Sequence, residues 1–598
     1  MQIYKTPLKE MKFLINNFVN LSFFNSIQLN HDISDLEMVL EEAAKICEDT
    51  LLPLNQSGDI EGCIFNNGKV QTPKGFKEAY KIFSDNGWQG IKVSEKYGGQ
   101  NLPYFINMFI DEIVSSTNMS FGLYPGLTTN AIEAIENSAT DELKKIYLPK
   151  LTSGEWTGTM NLTESQCGTD LGLSKSIAIP QNDGSYKLTG TKIFITCGEH
   201  DLSKNIIHLV LARTPNAPPG IKGISLFLVP KIIPNKDGSL GELNNLQCGS
   251  IEKKMGINAS PTCVMHYNNA KGWIVGDLNK GMKSMFVMMN GARLFVGIQG
   301  LGISEIAYQS ALYYSKERLQ GKSSNKLKKS ENLADPIIVH PEIRKNLLQM
   351  KSLNEGIRAL MLWTGYHFDL ANSSTDKKTI SDCDNIVALM TPILKSFATD
   401  IGCFSSNLAL QIYGGHGYIK DHGMEQFVRD ARIAPIYEGT NGIQALDLIG
   451  RKMEINDGEI IKNFFEIINQ YLLNISINEN IKNEINQFKK SYKDLIDITD
   501  HIESFDKDKI SEKNGAAVEY LEMFSYVAIG FMWLKILEIS YNKNSLSKSD
   551  FFDSKIETGI YYFQKIITKT NFLKDNILSG ASSYNNYKNK YFDSGFQL

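Results

Sequence analysis

The feature that most constrains the fold is a change of hydrophobic periodicity along the chain. Residues 1 to about 155 carry apolar side chains at helical spacing. From 155 to 277 the chain turns into short β-rich runs separated by Gly, Pro and Asn, namely "WTGTMNLTE", "SYKLTGTKIFITCG", "NIIHLVLART", "GISLFLVPK" and "TCVMHYNN". Such runs are typical of an antiparallel sheet or barrel. Helical spacing returns at Gly281 and continues to about Leu578.

The order helices, strands, helices, helices predicts an α+β fold that is mostly α. A chain of 598 residues has room for about three or four domains. We predict an N-terminal helical domain at 1–158 and a middle, antiparallel β-barrel-like domain at 159–280. A C-terminal four-helix-bundle domain at 281–455 and an additional helical domain at 456–598 follow.

Charge and cysteine usage exclude several kinds of protein. The net charge of −4 gives no electrostatic attraction to nucleic acid or anionic lipid. The eight cysteines are scattered and form no C-x-x-C pair, so neither a zinc site nor a disulfide framework is indicated. We expect free thiols, no metal and no nucleic-acid partner.

No segment reads as a targeting or membrane-spanning element. The N-terminal "MQIYKTPLKEMKFLINNFVN" carries charges through its apolar part, unlike a secretory signal. The most apolar long stretch, Tyr520 to Ser540, contains Glu522, Lys535 and Glu538, whereas a spanning helix needs about 20 residues with few charges. We expect a buried bundle helix there, no stable membrane insertion and a cytoplasmic location.

Three stretches carry residue types suited to binding a cofactor. "MNLTESQCGTDLG" (160–172) offers hydroxyls and backbone N–H groups to an anion or a ring edge, although an ordinary turn has the same composition. In "KIFITCG", Phe194 and Thr196 lie two apart on a strand, so both can face one flat ring. In "QIYGGHGYIKDHG", paired glycines allow close approach to a ligand, whereas His416 and His422 lack a third metal ligand.

A fourth stretch, "APIYEGTNGIQ", places Glu438 in a turn before an apolar-periodic helix. From position alone, a solvated acid favoured by the helix dipole is the simpler interpretation. The alternative is a base held at the mouth of a helix. A G-x-x-G-x-G spacing at 297–302 follows no strand, so it does not indicate a dinucleotide loop.

Together these motifs identify a family. "LTESQCGTDLG", "QIYGGHGY" and "IYEGTNGIQ", in this order and at this spacing, resemble the acyl-CoA dehydrogenases, flavoenzymes that desaturate acyl thioesters at the α,β bond. The likeness runs from about residue 30 to 453. The opening residues and the block after 454 resemble a longer subgroup, which includes methylthiopropanoyl-CoA dehydrogenases of sulfoniopropionate breakdown and fatty acyl-CoA members.

The resemblance implies a role for each matching residue. Glu438 is the base that removes the α-proton, and hydride passes from the β-carbon to flavin N5. FAD is contacted by Leu162, Thr163, Gly168, Thr169, Phe194, Ile195, Thr196, Arg318, Gln411, Gly414, Gly415, Thr440 and Gly442. CoA is contacted by Thr169, Asn290, Arg293 and Arg451.

Some of these positions depart from the family pattern. Phe194 stands where the family usually has tryptophan, and many relatives have aspartate where Asn290 stands. Arg451 matches a CoA-binding arginine only approximately, and its spacing from Asp447 also suits a helix-surface ion pair. Arg318 and the segment 411–415 would reach the FAD of a neighbouring subunit, which implies a homodimer.

The implied chemistry suits these residue types. A thioester α-proton is weakly acidic, so its removal needs a base and stabilisation of the developing enolate. A carboxylate becomes a stronger base when it is buried against apolar surface. The implied electron acceptor is an electron-transferring flavoprotein, and the implied substrate is 3-(methylthio)propanoyl-CoA or a short- or medium-chain acyl-CoA.

Three alternatives share the motifs. An acyl-CoA oxidase has the same base and flavin but passes electrons to oxygen. A DNA-binding flavoprotein of the same superfamily would need a basic C-terminal block, whereas residues 456–598 are near-neutral and slightly acidic. A redox-inert scaffold is disfavoured by the presence of Glu438.

Overall fold

The computed structural model describes residues 2–19, 32–323, 333–475 and 479–596. The chain divides into two compact units. The first contains Met1–Met11, Leu29–Ser310 and Ala409–Ala434, and the second contains Lys12–Gln28, Ala311–Leu408 and Pro435–Leu598.

The N-terminal part is helical, as its periodicity predicts. Its helices are α1 (Leu8–Phe18), α2 (Ile33–Ile46), α3 (Pro53–Glu61), α4 (Phe76–Asp85), α5 (Tyr104–Ser138) and α6 (Asp141–Thr152). The helical pattern missed one short hairpin, in which β1 (Ile64–Asn66) pairs antiparallel with β2 (Lys69–Gln71). Three-residue strands are too short for a period of two to be visible in sequence.

All five β-rich runs of the middle part form strands. The strands are β3 (Trp156–Asn161), β4 (Ile177–Pro180), β5 (Tyr186–Thr196), β6 (Asn205–Arg213), β7 (Ile224–Pro230), β8 (Ile232–Pro234), β9 (Leu240–Leu243), β10 (Leu246–Ile251) and β11 (Thr262–Val275).

The strand pairing closes a barrel, which confirms the predicted architecture. β11 pairs with β5, β5 with β4, β4 with β6, β6 with β7, and β7 with β11. Most pairs are antiparallel, as predicted, but β4 and β3 each pair with β6 in parallel. β6 is buried along nearly its whole length, which explains why it reads as a continuous apolar run.

The helical second half is confirmed as well. Its helices are α7 (Gly281–Glu317), α8 (Pro341–Ser373), α9 (Lys377–Tyr413), α10 (Met424–Ala431) and α11 (Asn441–Asp447). The additional block contributes α12 (Glu459–Asn474), α13 (Lys482–Glu503), α14 (Ile510–Gly515), α15 (Ala517–Leu546), α16 (Asp550–Tyr561), α17 (Lys569–Leu578) and α18 (Ser582–Asn585). The G-x-x-G-x-G stretch lies inside α7, where a Cβ at Gly302 would come within 2.8 Å of Ser115.

Within the second unit, the additional block packs on the preceding helices through α15. The indole Nε1 of Trp533 donates to the carbonyl oxygen of Ser352 in α8 at 3.0 Å. Gly356 faces Ile529 and Trp533, so the absence of a side chain at Gly356 lets the two helices approach closely. α15 also packs against α11. The block is therefore part of the core of its unit.

Three of the described helices are long and apolar enough to cross a membrane by length and composition. Their most apolar windows lie in Gly281–Glu317, Lys377–Tyr418 and Ala517–Leu546, and 78%, 78% and 83% of those windows is buried inside the protein. Burial by protein accounts for their apolar character, as expected for the stretch 520–540.

Candidate functional site

Glu438 lies in a turn with unusual backbone geometry in the second unit. Its φ is +56° and that of Gly439 is +84°, so two successive residues are left-handed. Glycine adopts this conformation freely, but a residue with a Cβ does so at a cost of roughly 1–2 kcal/mol. Such strain persists only where surrounding contacts determine the backbone.

Two side chains supply those contacts. Lys395 in α9 donates from Nζ to the carbonyl oxygen of Gly439 at 2.8 Å and to Oδ1 of Asn441 at 2.9 Å. Gln444 in α11 donates from Nε2 to the carbonyl oxygens of Glu438 at 3.3 Å and Gly439 at 3.1 Å. The turn is thus fixed by hydrogen bonds to its own peptide groups.

Of the other predicted residues of this unit, Thr440 and Gly442 follow the turn directly, whereas Arg318 lies in a different segment of the chain. The hydroxyl of Thr440 accepts from the N–H of Ile443 at 3.4 Å and caps α11. Gly442 is exposed in the first turn of α11. Arg318 is exposed directly after α7, and its carbonyl oxygen accepts from the N–H of Ile337 at 2.8 Å.

Arg451 forms the helix-surface ion pair that its spacing allows. Its Nε lies 2.6 Å from Oδ1 of Asp447 and its Nη2 lies 3.0 Å from Oδ2. A role of Arg451 at CoA stays a prediction.

In the first unit, Phe194 sits at a β-bulge in β5. The register of β5 against β11 shifts between Cys263 and Met265, opposite this point. Phe194 has a φ of +59° and its side chain is 60% exposed. Ile195 is buried in the barrel core, so only its backbone is available to a ligand, and Thr196 is half-buried. The bulge thus presents an aromatic ring outward from the barrel.

A buried ion pair joins this segment to the loop after β3, which carries Leu162 and Thr163. Nζ of Lys192 donates to Oε1 of Glu164 at 2.8 Å and to the carbonyl oxygen of Leu162 at 2.9 Å. The N–H of Ile193 donates to the carbonyl oxygen of Thr163 at 2.9 Å. We call Glu164 and Lys192 the barrel clamp. The two predicted flavin-lining segments are therefore brought together.

The Glu164 carboxylate is fully engaged. Besides Lys192, it accepts from the hydroxyls of Ser174 and Ser176, both at 2.7 Å, and from the N–H of Lys175 at 2.8 Å. Burial alone would raise the pKa of Glu164, but the charge of Lys192 and these hydrogen bonds outweigh it and hold the pKa well below its usual range. The Glu164 carboxylate is therefore ionised at neutral pH.

The glycine-containing segments leave open space around their backbone. A Cβ built at Gly168, Gly414 or Gly415 would meet no atom within 4 Å. Gln411 and Thr169 are exposed. Gly414 begins the short 3-10 turn after α9, with a φ of +61°. These backbones face open space, and binding of FAD at these residues stays a prediction.

The predicted CoA-contacting residues of α7 differ in burial. Asn290 is exposed, whereas Arg293 is only 6% exposed, so Arg293 is not an ordinary surface charge.

The rings of His416 and His422 stack with centroids 4.8 Å apart. No group of three His, Cys, Asp or Glu side chains suited to a metal occurs in the described part of the chain, and all eight cysteines are free thiols.

Sequence reasoning missed the barrel clamp and Lys395. Each involves a charge in an otherwise apolar run, "KIFI" for Lys192 and "PILKSFA" for Lys395. A lone lysine in such a run is rarely buried unless it is paired. That signal was present, but the partners lie 28 and 44 residues away in sequence and periodicity does not reveal them.

Family models match almost the whole chain. The acyl-CoA dehydrogenase N-terminal domain matches residues 34–155, the middle domain 159–270 and the C-terminal domain 279–453. A model described as "Acetyl-CoA dehydrogenase C-terminal like" matches residues 460–587. The four-domain division at 158, 280 and 455 stays a prediction.

Known proteins agree with these matches. The chain is 45% identical over 467 residues to 3-methylmercaptopropionyl-CoA dehydrogenase of Ruegeria pomeroyi, covering 78% of this chain and 79% of that protein. It is 36% identical to a butyryl-CoA dehydrogenase of Syntrophomonas wolfei over 78% of this chain and 79% of that protein. An acyl-CoA dehydrogenase of Bacillus anthracis, solved in complex with FAD, shares the fold with a TM-score of 0.73 at 19% identity, over 96% of this chain and 92% of that one. The chain therefore belongs to the acyl-CoA dehydrogenase family.

Proposed function

We propose that this FAD-dependent acyl-CoA dehydrogenase uses Glu438 to remove the α-proton of a short acyl-CoA thioester. The observation that carries the proposal is the left-handed turn at Glu438 and Gly439, held by Lys395 and Gln444. A solvated acid of no consequence needs neither the strain nor the contacts that maintain it.

The residues of the first unit fit a flavin. The ring of Phe194 is largely uncovered, the hydroxyl-bearing segment around Thr163 is tied next to it, and the backbones of Gly168 and Gly414 are open. An aromatic face stacks on a flat ring, and hydroxyls and N–H groups can donate to its edge. FAD, when bound, supplies the hydride acceptor.

The protein's own part of the reaction is to hold a base and to orient the thioester. Glu438 takes the proton from C2, and the α,β bond becomes a double bond as hydride leaves C3. A fixed turn keeps the carboxylate within reach of that hydrogen, and positioning of this kind contributes several kcal/mol to rate acceleration. Asn290, Arg293 and Thr169 are proposed to hold the CoA part.

We propose 3-(methylthio)propanoyl-CoA as the substrate, with butanoyl-CoA as the nearest competitor. The names of the two relatives described above support this choice.

Electron-transferring flavoprotein is the proposed electron acceptor, and the alternative is that the enzyme is an acyl-CoA oxidase, which passes electrons to oxygen. Anaerobic reduction of the acceptor protein, compared with peroxide formation in air, separates the two. A homodimer in the cytoplasm, with Arg318 and Gln411 at the partner's FAD, is part of the same proposal.

The base is tested apart from hydride transfer. A thioester with sulfur at the β position has exchangeable C2 hydrogens but no hydride to give. In D2O, the parent enzyme should catalyse deuterium incorporation at C2, measured by mass spectrometry, and Glu438→Gln should not. Exchange by Glu438→Gln at the parent rate would remove Glu438 from the mechanism.

A further inference from the structure

Lys395 is buried in α9, with an exposure of 0%. A buried ammonium group costs several kcal/mol of lost hydration unless acceptors replace the water. Here one acceptor is in the turn that carries Glu438, the carbonyl oxygen of Gly439 at 2.8 Å, and a second is Oδ1 of Asn441, the first residue of α11, at 2.9 Å. The charge is therefore directed at the segment adjoining the proposed base.

Asn441 completes the connection between the turn and α9. Its Nδ2 donates to the carbonyl oxygen of Ser396 at 3.1 Å, to Oγ1 of Thr399 at 3.0 Å and to Oδ1 of Asp400 at 2.9 Å. Its Oδ1 faces Lys395, so the amide uses both ends. The first residue of α11 is thereby bonded to two successive turns of α9.

The helix that supplies these groups is itself supported within the second unit. Phe397, two residues after Lys395, contacts the ring of Tyr526 in α15 edge-on, with centroids 5.0 Å apart. α15 packs against α11 as well. The two helices that contact the turn, α9 and α11, therefore both pack against α15.

We propose that Lys395 is a positioning residue, which holds the Glu438 turn in its left-handed conformation through Gly439 and Asn441. The proposal rests on the function proposed for Glu438. Without Lys395, the turn can relax toward an ordinary φ, and the carboxylate then moves away from C2. A misplacement of about 1 Å can cost on the order of 100-fold in rate.

The test uses full-length, FAD-loaded enzyme and two variants. Lys395→Met keeps the apolar stem, and Lys395→Ala leaves a space of the size of propylammonium. We expect kcat with 3-(methylthio)propanoyl-CoA to fall roughly 100-fold in each, with KM changed less than about threefold, because substrate binding does not depend on the base. Deuterium exchange at C2 of the β-sulfur thioester should fall by the same factor as kcat.

Chemical rescue separates positioning from a general loss of structure. Propylammonium should restore at least a tenth of the lost kcat of Lys395→Ala, whereas tetramethylammonium, with the same charge but no N–H, should not. Thr391→Val is the matched control, since Thr391 is a buried hydroxyl on the same helix that donates only within it, to the carbonyl oxygen of Val387 at 2.7 Å. Its kcat should equal that of the parent.

Three outcomes would overturn the inference, and a fourth would refute the proposed function on which it rests. Lys395→Met with parent kcat and parent exchange would show that the turn does not need the lysine, while Glu438→Gln would still report on the base. A loss of kcat in Lys395→Ala that propylammonium and tetramethylammonium restore equally would assign Lys395 a purely electrostatic role. Failure of Lys395→Met and Lys395→Ala alike to fold or to retain FAD would assign Lys395 to the core instead. Activity of Glu438→Gln would refute the proposed function and leave the hydrogen bonds of Lys395 without a catalytic meaning.

Discussion

At the scale of single residues, backbone strain marks the candidate site. Nine non-glycine residues of the described ranges have positive φ, and five of these are asparagines, which tolerate it. The other four are Phe194, Cys197, Ile257 and Glu438. Sequence motifs single out Phe194 and Glu438, and Cys197 directly follows Thr196, another candidate site residue. No propensity places Phe or Glu in a left-handed conformation, so the sequence identified these residues but not their geometry.

Two substitutions of Phe194 separate the cost of its left-handed backbone from the contribution of its ring to FAD binding. Phe194→Ala and Phe194→Gly should both retain FAD more weakly, by roughly five- to tenfold, because a ring–ring contact contributes about 1 kcal/mol. In the FAD-free protein, the Gly variant should have the higher urea midpoint, since glycine removes the left-handed penalty of about 1 kcal/mol. The ratio of flavin to protein absorbance measures retention. An Ala variant that keeps FAD as well as the parent would show that the ring does not contact the flavin.

At the scale of elements, the positions of strands and helices follow from periodicity, but their irregularities do not. The five β-rich runs became strands because alternation and turn residues are local signals. The bulge at Phe194 depends on the register of β11, a strand about 70 residues later. The barrel clamp likewise depends on which strands become neighbours. Local signals thus located the motifs, whereas the interactions that shape them are tertiary.

The barrel clamp predicts an asymmetric mutational effect. Lys192→Met should destabilise the protein by about 3–5 kcal/mol, because it leaves Glu164 buried without its counter-charge. Adding Glu164→Gln removes that charge and should recover part of the loss. Urea unfolding of parent, single and double variants measures the effect. A double variant less stable than Lys192→Met would mean that the carboxylate is stabilising without the lysine.

His200, in the loop after β5, predicts a pH effect on stability. Burial lowers its pKa to about 3, while its Nδ1 accepts from the N–H of Leu202 at 3.2 Å, so the folded protein holds it neutral. In the unfolded state a histidine has a pKa of about 6.5. The unfolded state therefore takes up a proton as the pH falls from 7 to 5, and this stabilises it relative to the folded state by about 2 kcal/mol. The stability that this histidine maintains at pH 7 is therefore lost toward pH 5.

The effect of His200 is best measured as the difference in free energy of unfolding between the parent and His200→Gln. Burial raises the pKa of Asp111 and Asp430 to about 7. As the pH falls from 7 to 5, protonation of these two carboxyl groups therefore favours the folded state, and it does so equally in the parent and in His200→Gln. The stability gap between parent and His200→Gln should therefore narrow by about 2 kcal/mol from pH 7 to pH 5. Urea unfolding at both pH values tests this, and a constant gap would mean that His200 is not held neutral.

At the scale of the whole molecule, the additional helical block is part of the core of the second unit. Trp533 of α15 is fully buried and bonded to Ser352 of α8, and α15 packs against the helix that follows Glu438. Composition and periodicity predicted a helical block at 456–598 but left its role open, because the partner of an apolar face cannot be read from the face itself. Its contacts indicate support of the helices around the Glu438 turn.

Removal of that support should lower the free energy of unfolding. Trp533→Ala should destabilise the protein by about 3–5 kcal/mol, from the cavity and the lost hydrogen bond. Hydrogen exchange should increase in α8 as well as in α15, if the two helices form one cooperative unit. Phe592→Ala, in the same block but 70% exposed, is the control and should change neither quantity. Faster exchange confined to α15 would contradict a shared core.

The central claim, that Glu438 removes the α-proton in an FAD-dependent desaturation, is tested most directly by anaerobic flavin reduction in a single turnover. The parent enzyme mixed with 3-(methylthio)propanoyl-CoA should lose its absorbance near 450 nm. Glu438→Gln should purify yellow, with a full complement of FAD, and keep that absorbance when the same thioester is added. A yellow Glu438→Gln variant that bleaches at the parent rate would contradict the account.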